Sequence, residues 1–303
     1  MNNLAPIVVF VYNRVEHTKL TIEKLKENLL AKESNLYIFS DGPKKESDIE
    51  KIEEIRKYIN NISGFKSIKI IESEKNKGLA KSVIYGVSNI IKEYGKVIVV
   101  EDDLITAKNF LNFMNDCLNF YEKDDKIWSI SGYKLPIKIP FTYKNSIYLT
   151  ERASSWGWAT WSDRWLSVDW DIKDYMNFIK NKNKVKEFER GGHDLCEMLS
   201  AQMNGKIDSW AIRWCYNQYK QGKFTIFPVK SLVQNIGLDG SGTHSSVNDY
   251  YHYNTMIDEN FKYKLIKNIS LNRKISKISC NYYSNTLKDR IKRKIIRFLI
   301  KLK

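Results

Sequence analysis

Short apolar runs alternate with longer amphipathic segments along the first hundred residues of the chain. The runs at residues 6–12, 36–40, 67–72 and 96–100 are rich in β-branched residues and predict buried strands. The segments between them place Leu, Ile and Val at helical spacing, which predicts amphipathic helices. Because strands and helices alternate, we expect an α/β fold with a mainly parallel sheet and right-handed crossovers.

The pattern becomes less regular after residue 103. Helices are predicted at 110–121, 195–203 and 210–219, and strands at 127–133, 147–150 and 224–229. An aromatic-rich segment covers 156–161, and a polar, Lys-rich segment at 171–190 is expected on the surface. A Gly-rich loop follows at 235–245, and from residue 248 the chain is rich in Tyr, Asn and Lys.

Three carboxylates follow the fourth predicted strand directly, at Glu101, Asp102 and Asp103. They are expected at the carboxyl edge of the sheet, which is where open α/β sheets bind ligands. Neighbouring carboxylates repel one another, so a cation is expected there, and Mg²⁺ or Mn²⁺ with bound phosphates is the natural candidate. The alternative is a solvated acidic turn.

The chain carries a formal net charge of +15, which favours an anionic partner such as nucleic acid, a phosphorylated substrate or a membrane surface. The four cysteines lack zinc-ligand spacing, and neither a signal peptide nor a transmembrane span is predicted. We therefore expect a cytosolic protein.

Residues 286–303 contain eight Lys or Arg and one Asp, with apolar residues at helical spacing. This pattern predicts a basic amphipathic helix that lies on an anionic membrane surface, and it is too short and too charged to span the bilayer. The alternative is a helix packed on its own domain or on a second subunit.

Two turns could contact a nucleotide. Asp41 follows the second predicted strand and could accept a nucleobase N–H, although an Asp-Gly turn is the simpler interpretation. Asn76 and Lys77 precede a helix and could meet a phosphate, or they could belong to an ordinary helix start. The glycines of a P-loop and of a GxGxxG dinucleotide motif are missing, which argues against a Rossmann dehydrogenase.

Three further features are candidates for acceptor binding and catalysis. The tryptophans at 156–161 could line a sugar site or pack in the core. Asp208 precedes a predicted helix, where it could be a general base, an N-cap or both. His244, in the Gly-rich loop, could close over a metal, and the alternative is an exposed loop histidine.

Taken together, these motifs resemble the GT-A glycosyltransferases, in particular family 2-like bacterial enzymes and the N-acetylglucosaminyltransferase I type. The acidic triplet is similar to the DxD-type metal motif of that group in an EDD form. In chain order, the residues that carry the resemblance are VFVYNR, SDG, NKGLAKS, VVEDD, SSWGWATW, DSW and GSGTHS, over about residues 6–245.

The resemblance implies metal-dependent, inverting transfer of a sugar from a nucleotide sugar, with UDP as the expected nucleotide. The acceptor would be a glycan or a lipid-linked saccharide of bacterial surface polysaccharide synthesis, and the enzyme could lie peripherally on the inner face of the cell membrane. Within one GT-A domain, residues 1–103 would bind the donor and 104–247 the acceptor, with 248–303 as a C-terminal extension. A nucleotidyltransferase and a nucleic-acid-binding protein are the alternatives.

The resemblance also implies roles for single residues. Asp103 and His244 would ligate Mn²⁺ or Mg²⁺, and Asp208 would be the catalytic base. Trp156, Gly157 and Trp158 would contact the acceptor or its sugar. The residues that would bind the nucleotide sugar are Tyr12, Asn13, Arg14, Asp41, Asn76, Lys77, Lys81, Glu101 and Asp102.

Overall fold

A computed structural model describes residues 4–239 and 255–283 of the chain. Its strands are β1 (Ile7–Val11), β2 (Asn35–Ser40), β3 (Ser67–Glu72), β4 (Lys96–Glu101), β5 (Leu104–Thr106), β6 (Ile127–Ser131), β7 (Ile147–Thr150), β8 (Trp158–Trp161), β9 (Phe224–Pro228) and β10 (Val233–Asn235). Its helices are α1 (Val15–Lys26), α2 (Ile49–Ile59), α3 (Leu79–Tyr94), α4 (Phe110–Phe120), α5 (Ser162–Leu166), α6 (Tyr175–Lys180), α7 (Lys182–Phe188), α8 (Leu195–Met203), α9 (Trp210–Lys220) and α10 (Arg273–Tyr282).

Eight of the described strands form one sheet in the order β3-β2-β1-β4-β8-β6-β9-β7. The first four are parallel, and β6 is parallel to β9. The strands β8 and β7 run antiparallel to their neighbours, so the remaining six point the same way. The prediction of an α/β fold with a mainly parallel sheet and flanking helices is confirmed. The carboxyl ends of β1, β2, β4, β6 and β9 therefore share one edge of the sheet.

Alternation along the strands builds a hydrophobic layer on each face of the sheet. In β1, Ile7, Val9 and Val11 belong to one layer, and Val8 and Phe10 belong to the other. The first layer extends from Ala5 to Ile275, so the predicted donor half, acceptor half and part of the C-terminal extension contribute to the same core.

The polar segment 171–190 differs from its predicted surface position. It forms α6 and α7, and both Phe178 and Phe188 are buried. Edge-to-face contacts with Tyr216 of α9 at 4.9 and 5.6 Å between ring centroids hold these two side chains. Together with the buried Ile172, these two side chains bind the segment to the core, while its lysines stay in solvent.

Residues 255–283 cross over α4. Asn109 Nδ2 donates to the carbonyl of Phe261 at 2.8 Å, and Tyr121 Oη donates to the carbonyl of Ile266 at 2.8 Å. Tyr263 Oη donates to Asp116 Oδ2 at 2.6 Å. None of the helices in the described ranges is both long and apolar enough to cross a bilayer.

Candidate active site

The acidic residues after β4 form a cluster with Arg14, which follows β1. Because β1 and β4 are parallel neighbours, their carboxyl ends lie side by side. The Arg14 guanidinium contacts Asp102 Oδ1 and lies 3.0 Å from Asp103 Oδ2. Asp102 and Asp103 are only 5% and 7% exposed, so this ion pair is largely removed from water. Arg14 thus supplies part of the positive charge that balances the acidic residues.

The cluster changes the protonation equilibria of its members. Burial, together with the charges of Asp103 and Asp102, raises the pKa of Glu101. Burial also raises the pKa of Asp102, although the neighbouring Arg14 opposes this shift. For Arg14, burial favours the neutral form, but the two carboxylates outweigh it and raise the pKa of the guanidinium. The poorly solvated environment therefore favours the protonated forms of Glu101 and Asp102.

The two oxygens of Asp103 have different surroundings. Oδ2 faces Arg14, whereas Oδ1 is buried and has no hydrogen-bond partner within the described ranges. A buried carboxylate oxygen without a hydrogen-bond partner reduces the stability of the folded state, so its presence needs an explanation. A hard cation would use this oxygen as a ligand.

The chain after β10 covers the cluster. Because β10 pairs antiparallel with β5, Ile236 N donates to the carbonyl of Asp103 at 2.8 Å. A Cβ on the next residue, Gly237, would overlap Asp103 Oδ2 and lie 2.6 Å from Arg14 Nη1. Only glycine lets the backbone approach this closely.

His17 fixes the same covering segment from the α1 side. Its Nε2 lies 3.3 Å from the carbonyl oxygen of Ile236 and 3.3 Å from Asp239 Oδ2. The predicted metal ligand His244 follows five residues after Asp239 and lies outside the described residues. The last described residues before it thus run past the acidic cluster.

Asp41 holds the turn that leads into α3. Its carboxylate accepts hydrogen bonds from the backbone N–H groups of Lys77 at 2.9 Å and Gly78 at 3.0 Å. It also accepts one from Gly42 at 2.9 Å, and Asn76 Nδ2 donates to the Gly42 carbonyl at 2.9 Å. Asp41 and Asn76 therefore join the end of β2 to the start of α3. If Asp41 and Asn76 contact a nucleotide as predicted, they would do so while held by these hydrogen bonds.

Tyr12 and Asn13 are turned towards Asp48, which the sequence analysis did not single out. Tyr12 Oη and Asn13 Nδ2 donate to the two oxygens of Asp48 at 2.8 and 2.9 Å. The hydrogen bond from Tyr12 is the main cause of the lowered pKa of Asp48. Burial and this hydrogen bond raise the pKa of Tyr12 to about 12. Asp48 stands in a polar, charged stretch before α2, so its sequence context carries no signal of contact with β1.

The lysines near this turn are exposed. Lys77 Nζ lies 4.6 Å from the centroid of the Tyr85 ring, and Lys81 extends from the first turn of α3. Both ammonium groups can therefore meet an anion in solvent, but no described contact directs Lys81 towards the acidic cluster.

Asp208 lies across from the start of α3. Its Oδ2 is 3.9 Å from the position that a Cβ on Gly78 would occupy, and its Oδ1 is 3.3 Å from Arg213 Nη2. The N-cap of α9 is Ser209, whose hydroxyl accepts from Ile212 N. Asp208 is therefore not the cap. Its side chain is 59% exposed and available for other contacts.

The structure corrects the expectation for Trp158. This side chain is fully buried and stacks on Trp165 and Trp210, with ring centroids 5.4 and 5.0 Å apart. It cannot contact a sugar without disrupting the core. Gly157 is also buried, and its close approach is to Phe110 and Val233 rather than to a ligand.

Trp156 differs from its two neighbours. It is half-buried and forms an edge-to-face contact with Tyr133 at 4.7 Å between ring centroids. Of the three residues in this predicted acceptor set, Trp156 is the one whose ring keeps some exposed surface.

The described residues contain no group of three or more His, Cys, Asp or Glu side chains arranged to hold a metal. Asp103 nevertheless suits a hard cation, because its free oxygen is a carboxylate in a buried, negatively charged environment. Arg14 takes the other oxygen and leaves this one available.

The sequence pattern of glycosyl transferase family 2 matches residues 7–159, which is 153 of the 303 residues. This chain belongs to glycosyl transferase family 2. The match begins at β1 and ends within β8, so it includes the whole acidic cluster and Trp156. The prediction of a glycosyltransferase is confirmed at the level of the family. A comparison with curated proteins found no match.

Solved structures similar to this family 2 chain include a mannosyltransferase, PcManGT from Pyrobaculum calidifontis, in complex with GDP-Man and Mn²⁺. It is 10% identical with a TM-score of 0.35, and the alignment covers 52% of this chain and 44% of that one. S. aureus TarS 1–349 is 12% identical with a TM-score of 0.44, over 82% and 62% of the two chains. A second S. aureus TarS structure is 13% identical with a TM-score of 0.43, over 76% and 36%. The chain thus spans less than two thirds of the length of each of these chains.

Proposed function

We propose that this chain transfers a sugar from a nucleotide-sugar donor, with UDP as the nucleotide, to a saccharide acceptor by a single inverting displacement. The observation that carries the proposal is the free, buried oxygen of Asp103 beside Arg14, with the exposed carboxylate of Asp208 near the start of α3. Membership in glycosyl transferase family 2 supports it.

On the donor side, the chain offers cationic and N–H groups to the nucleotide. Lys77 and Lys81 would approach the diphosphate from the start of α3, where the helix dipole also favours an anion. Asp41 would contact the base, and Asn76 and Asp102 would lie near the ribose or diphosphate. Tyr12, Asn13 and Glu101 complete the proposed donor set. Arg14 would orient Asp102 and Asp103.

The proposed metal is Mn²⁺ or Mg²⁺, held by Asp103 through Oδ1 and by His244. When bound, such an ion neutralises negative charge on the departing diphosphate. Arg14 alone leaves the cluster with excess negative charge, which is consistent with room for a further cation.

On the acceptor side, Asp208 would accept the proton of the attacking hydroxyl. A general base needs a carboxylate that is charged at neutral pH and accessible to the acceptor. The exposure of Asp208 fits this role, and Arg213 limits the orientation of its side chain. Trp156 would contact the acceptor or the transferred sugar through the exposed part of its ring.

Several finer features belong to the same proposal. Residues 1–103 would form the donor half of the domain, 104–247 the acceptor half and 248–303 an extension. The acceptor would be a glycan or lipid-linked saccharide in bacterial surface polysaccharide synthesis, at the cytoplasmic face of the membrane. A relation to the N-acetylglucosaminyltransferase I type is supported by two sequence motifs, VVEDD and DSW.

Ligand-dependent thermal stability tests the proposal. UDP with Mn²⁺ should raise the melting temperature, because a ligand that binds only the folded state stabilises it. Oligonucleotides should not raise it. A panel of UDP-, GDP- and dTDP-sugars, assayed for hydrolysis, would then identify the donor. Stabilisation by oligonucleotides alone, with every nucleotide sugar inert, would contradict the proposal.

A further inference from the structure

A second charged surface lies on the same edge of the sheet as the acidic cluster. We call it the edge patch, and it consists of Lys134, Lys138, Phe141, Lys144, Lys230 and Met256. The residues 132–146 follow β6, and Lys230 follows β9. Since β6 and β9 point the same way as β4, these residues leave the sheet at the edge where Asp102 and Asp103 do.

Sheet geometry gives the separation of the two surfaces. The strand β9 is the third neighbour of β4, with β8 and β6 between them. At the usual spacing of hydrogen-bonded strands, the carboxyl ends of β4 and β9 are about 14 Å apart. A surface in contact with the edge patch would therefore lie within reach of a substrate at the candidate active site.

Backbone hydrogen bonds hold the parts of the edge patch together. Lys134 N donates to Ser231 Oγ at 3.0 Å, and Val229 N donates to the carbonyl of Ser146 at 2.9 Å. Ile257, the neighbour of Met256, forms a β-bridge with Ser231. The loop 132–146, the end of β9 and the segment around residue 256 therefore form one surface.

The charge of this surface is mostly positive. Lys138, Lys144 and Lys230 are exposed. Burial and the nearby charge of Lys230 lower the pKa of Lys134. Among the described contacts of these lysines, the one acidic partner is Asp258, whose Oδ2 lies 4.0 Å from Lys230 Nζ.

Two apolar side chains in these segments are highly exposed. Phe141 is 90% exposed and Met256 is 84% exposed, the highest values among the large hydrophobic residues in the described ranges. Lys144 Nζ lies 4.3 Å from the centroid of the Phe141 ring. Exposed aromatic and apolar residues among lysines are typical of surfaces that bind at the membrane interface. A soluble polyanion would use the lysines but would leave Phe141 and Met256 in water.

We propose that the edge patch binds an anionic lipid bilayer, with Phe141 and Met256 inserted at the level of the headgroups. The lysines lie over anionic lipid, and the carboxyl edge of the sheet faces the membrane. This inference deepens the proposed function and rests on it in one respect, since it makes a lipid-linked saccharide the acceptor. The edge patch alone supports this proposal, and the basic segment 286–303, for which the sequence also predicts membrane binding, lies outside the described residues.

A fluorescent label at position 141 tests insertion directly. Phe141→Cys in a Cys280→Ser background can carry an environment-sensitive dye, because Cys117, Cys196 and Cys215 are buried. With vesicles of phosphatidylglycerol and phosphatidylcholine, the dye emission should shift to the blue and brighten. The same dye at Met176→Cys, on α6, is the matched control and should not respond.

Vesicle sedimentation of the full chain measures the charge contribution. Each lysine near an anionic surface contributes about 5-fold in binding, so Lys138→Gln with Lys144→Gln should weaken binding by about 25-fold. The control, Lys182→Gln with Lys186→Gln on exposed positions of α7, should have little effect.

Three results would overturn the proposal. One is that the emission of the dye at position 141 stays unchanged on vesicles that bind the full chain. Another is equal weakening by the edge-patch and α7 pairs. The third is that soluble polyphosphate displaces the chain from vesicles while the emission of the dye never changes with lipid. That result would identify a soluble polyanion as the partner. Hydrolysis of the nucleotide sugar in solution should stay unchanged in all these variants, so a failure of membrane binding is distinguishable from a failure of the proposed function.

Discussion

At the scale of single residues, the two oxygens of the Asp103 carboxylate have different surroundings. Arg14 holds Oδ2 at 3.0 Å and fixes the orientation of the group, while Oδ1 remains buried without a partner in the described part of the chain. In the proposed metal site, Arg14 would fix the orientation of the carboxylate and the free oxygen would be the ligand for a hard cation.

We expect Asp103→Asn to abolish metal-dependent sugar transfer, because the amide keeps the size of the side chain but loses the charge that a hard cation needs. Transfer and nucleotide binding at graded Mn²⁺ concentrations are the measurements. Asp125→Asn, at an exposed acid before β6, is the matched control and should behave as the wild type. Full activity of Asp103→Asn, or of the wild type in excess EDTA, would refute a metal role for this residue.

Asp208→Asn should reduce kcat by about 100-fold or more, since it removes the proposed proton acceptor. Donor binding and melting temperature should stay close to wild type, because Ser209 caps α9 and Asp208 does not. Steady-state kinetics and a thermal melt test both parts. Unchanged turnover would rule out Asp208 as the base.

Two other carboxylates, Asp194 and Glu151, are already engaged with neighbouring side chains. Asp194 Oδ1 lies 2.6 Å from Arg152 Nη1, and Glu151 Oε2 accepts from Ser276 Oγ at 2.6 Å. Their partners are part of the packing of α10 against the sheet, so neither offers a free oxygen in the way that Asp208 does.

Gly237→Ala tests the close approach over the acidic cluster. The added methyl overlaps Asp103 Oδ2 and crowds Arg14, so either the ion pair or the covering backbone must shift. We expect a loss of stability of about 1–3 kcal/mol, as for other overpacked sites, and weaker binding of Mn²⁺ with UDP. Urea unfolding and a metal titration measure the two effects. If the free energy of unfolding and the affinity for Mn²⁺ both stayed at the wild-type values, the backbone at residue 237 would be able to shift without affecting the acidic cluster.

At the scale of elements, the start of α3 is held in place by the end of β2. Asp41 accepts from the N–H groups of Lys77 and Gly78, so the turn before the helix has little freedom. The proposed phosphate contacts depend on this turn, because it sets where the side chains of Lys77 and Lys81 lie at the start of α3.

Asp41→Ala should therefore raise the KM for the donor more than it lowers kcat. We also expect a loss of about 1–2 kcal/mol in the free energy of unfolding, because hydrogen bonds to a charged acceptor are lost while water can reach the freed N–H groups. Asp41→Asn keeps one acceptor oxygen and should fall between Ala and the wild type. An unchanged KM in Asp41→Ala would show that the turn does not depend on this carboxylate.

The packing of β8 against α9 has a similar positioning effect. Trp158 in β8 stacks on Trp210, the first residue of α9, and Asp208 stands two residues before it. The tryptophan cluster thus sets the position of the proposed base without touching a substrate.

At the scale of the whole molecule, the described C-terminal segment is part of the core. Phe261 is 7% exposed, and its ring centroid lies 6.4 Å from that of Phe113 in α4. The segment therefore adds to the stability of the sheet on which the active site is built.

Phe261→Ala should destabilise the protein by about 3–5 kcal/mol, the usual range for removing a buried phenyl ring. Urea unfolding should still show one cooperative transition, because both halves of the domain and this segment share one hydrophobic layer. Met256→Ala, at a highly exposed position of the same segment, is the control and should cost far less. A separate early transition would show that the segment unfolds independently.

Local sequence patterns are sufficient to predict the fold class and the location of the acidic cluster. Local periodicity distinguishes the strands β1 to β4 from the helices between them, and parallel strands with crossover helices must bring their carboxyl ends to one edge. Glu101, Asp102 and Asp103 could be assigned to that edge because Glu101 ends β4 and the two aspartates follow it directly. The family motifs also lie in contiguous stretches, which is why they could be recognised without a structure.

Which side chains come into contact, by contrast, depends on how the elements pack. Arg14 pairs with residues 88 and 89 positions later, and Gly237 reaches Asp103 because β10 pairs with β5. The burial of Trp158 likewise depends on α5 and α9, since an aromatic run has the same local pattern in a core as on a binding surface. Contacts between distant residues depend on how the elements pack, and local periodicity contains no information about that packing.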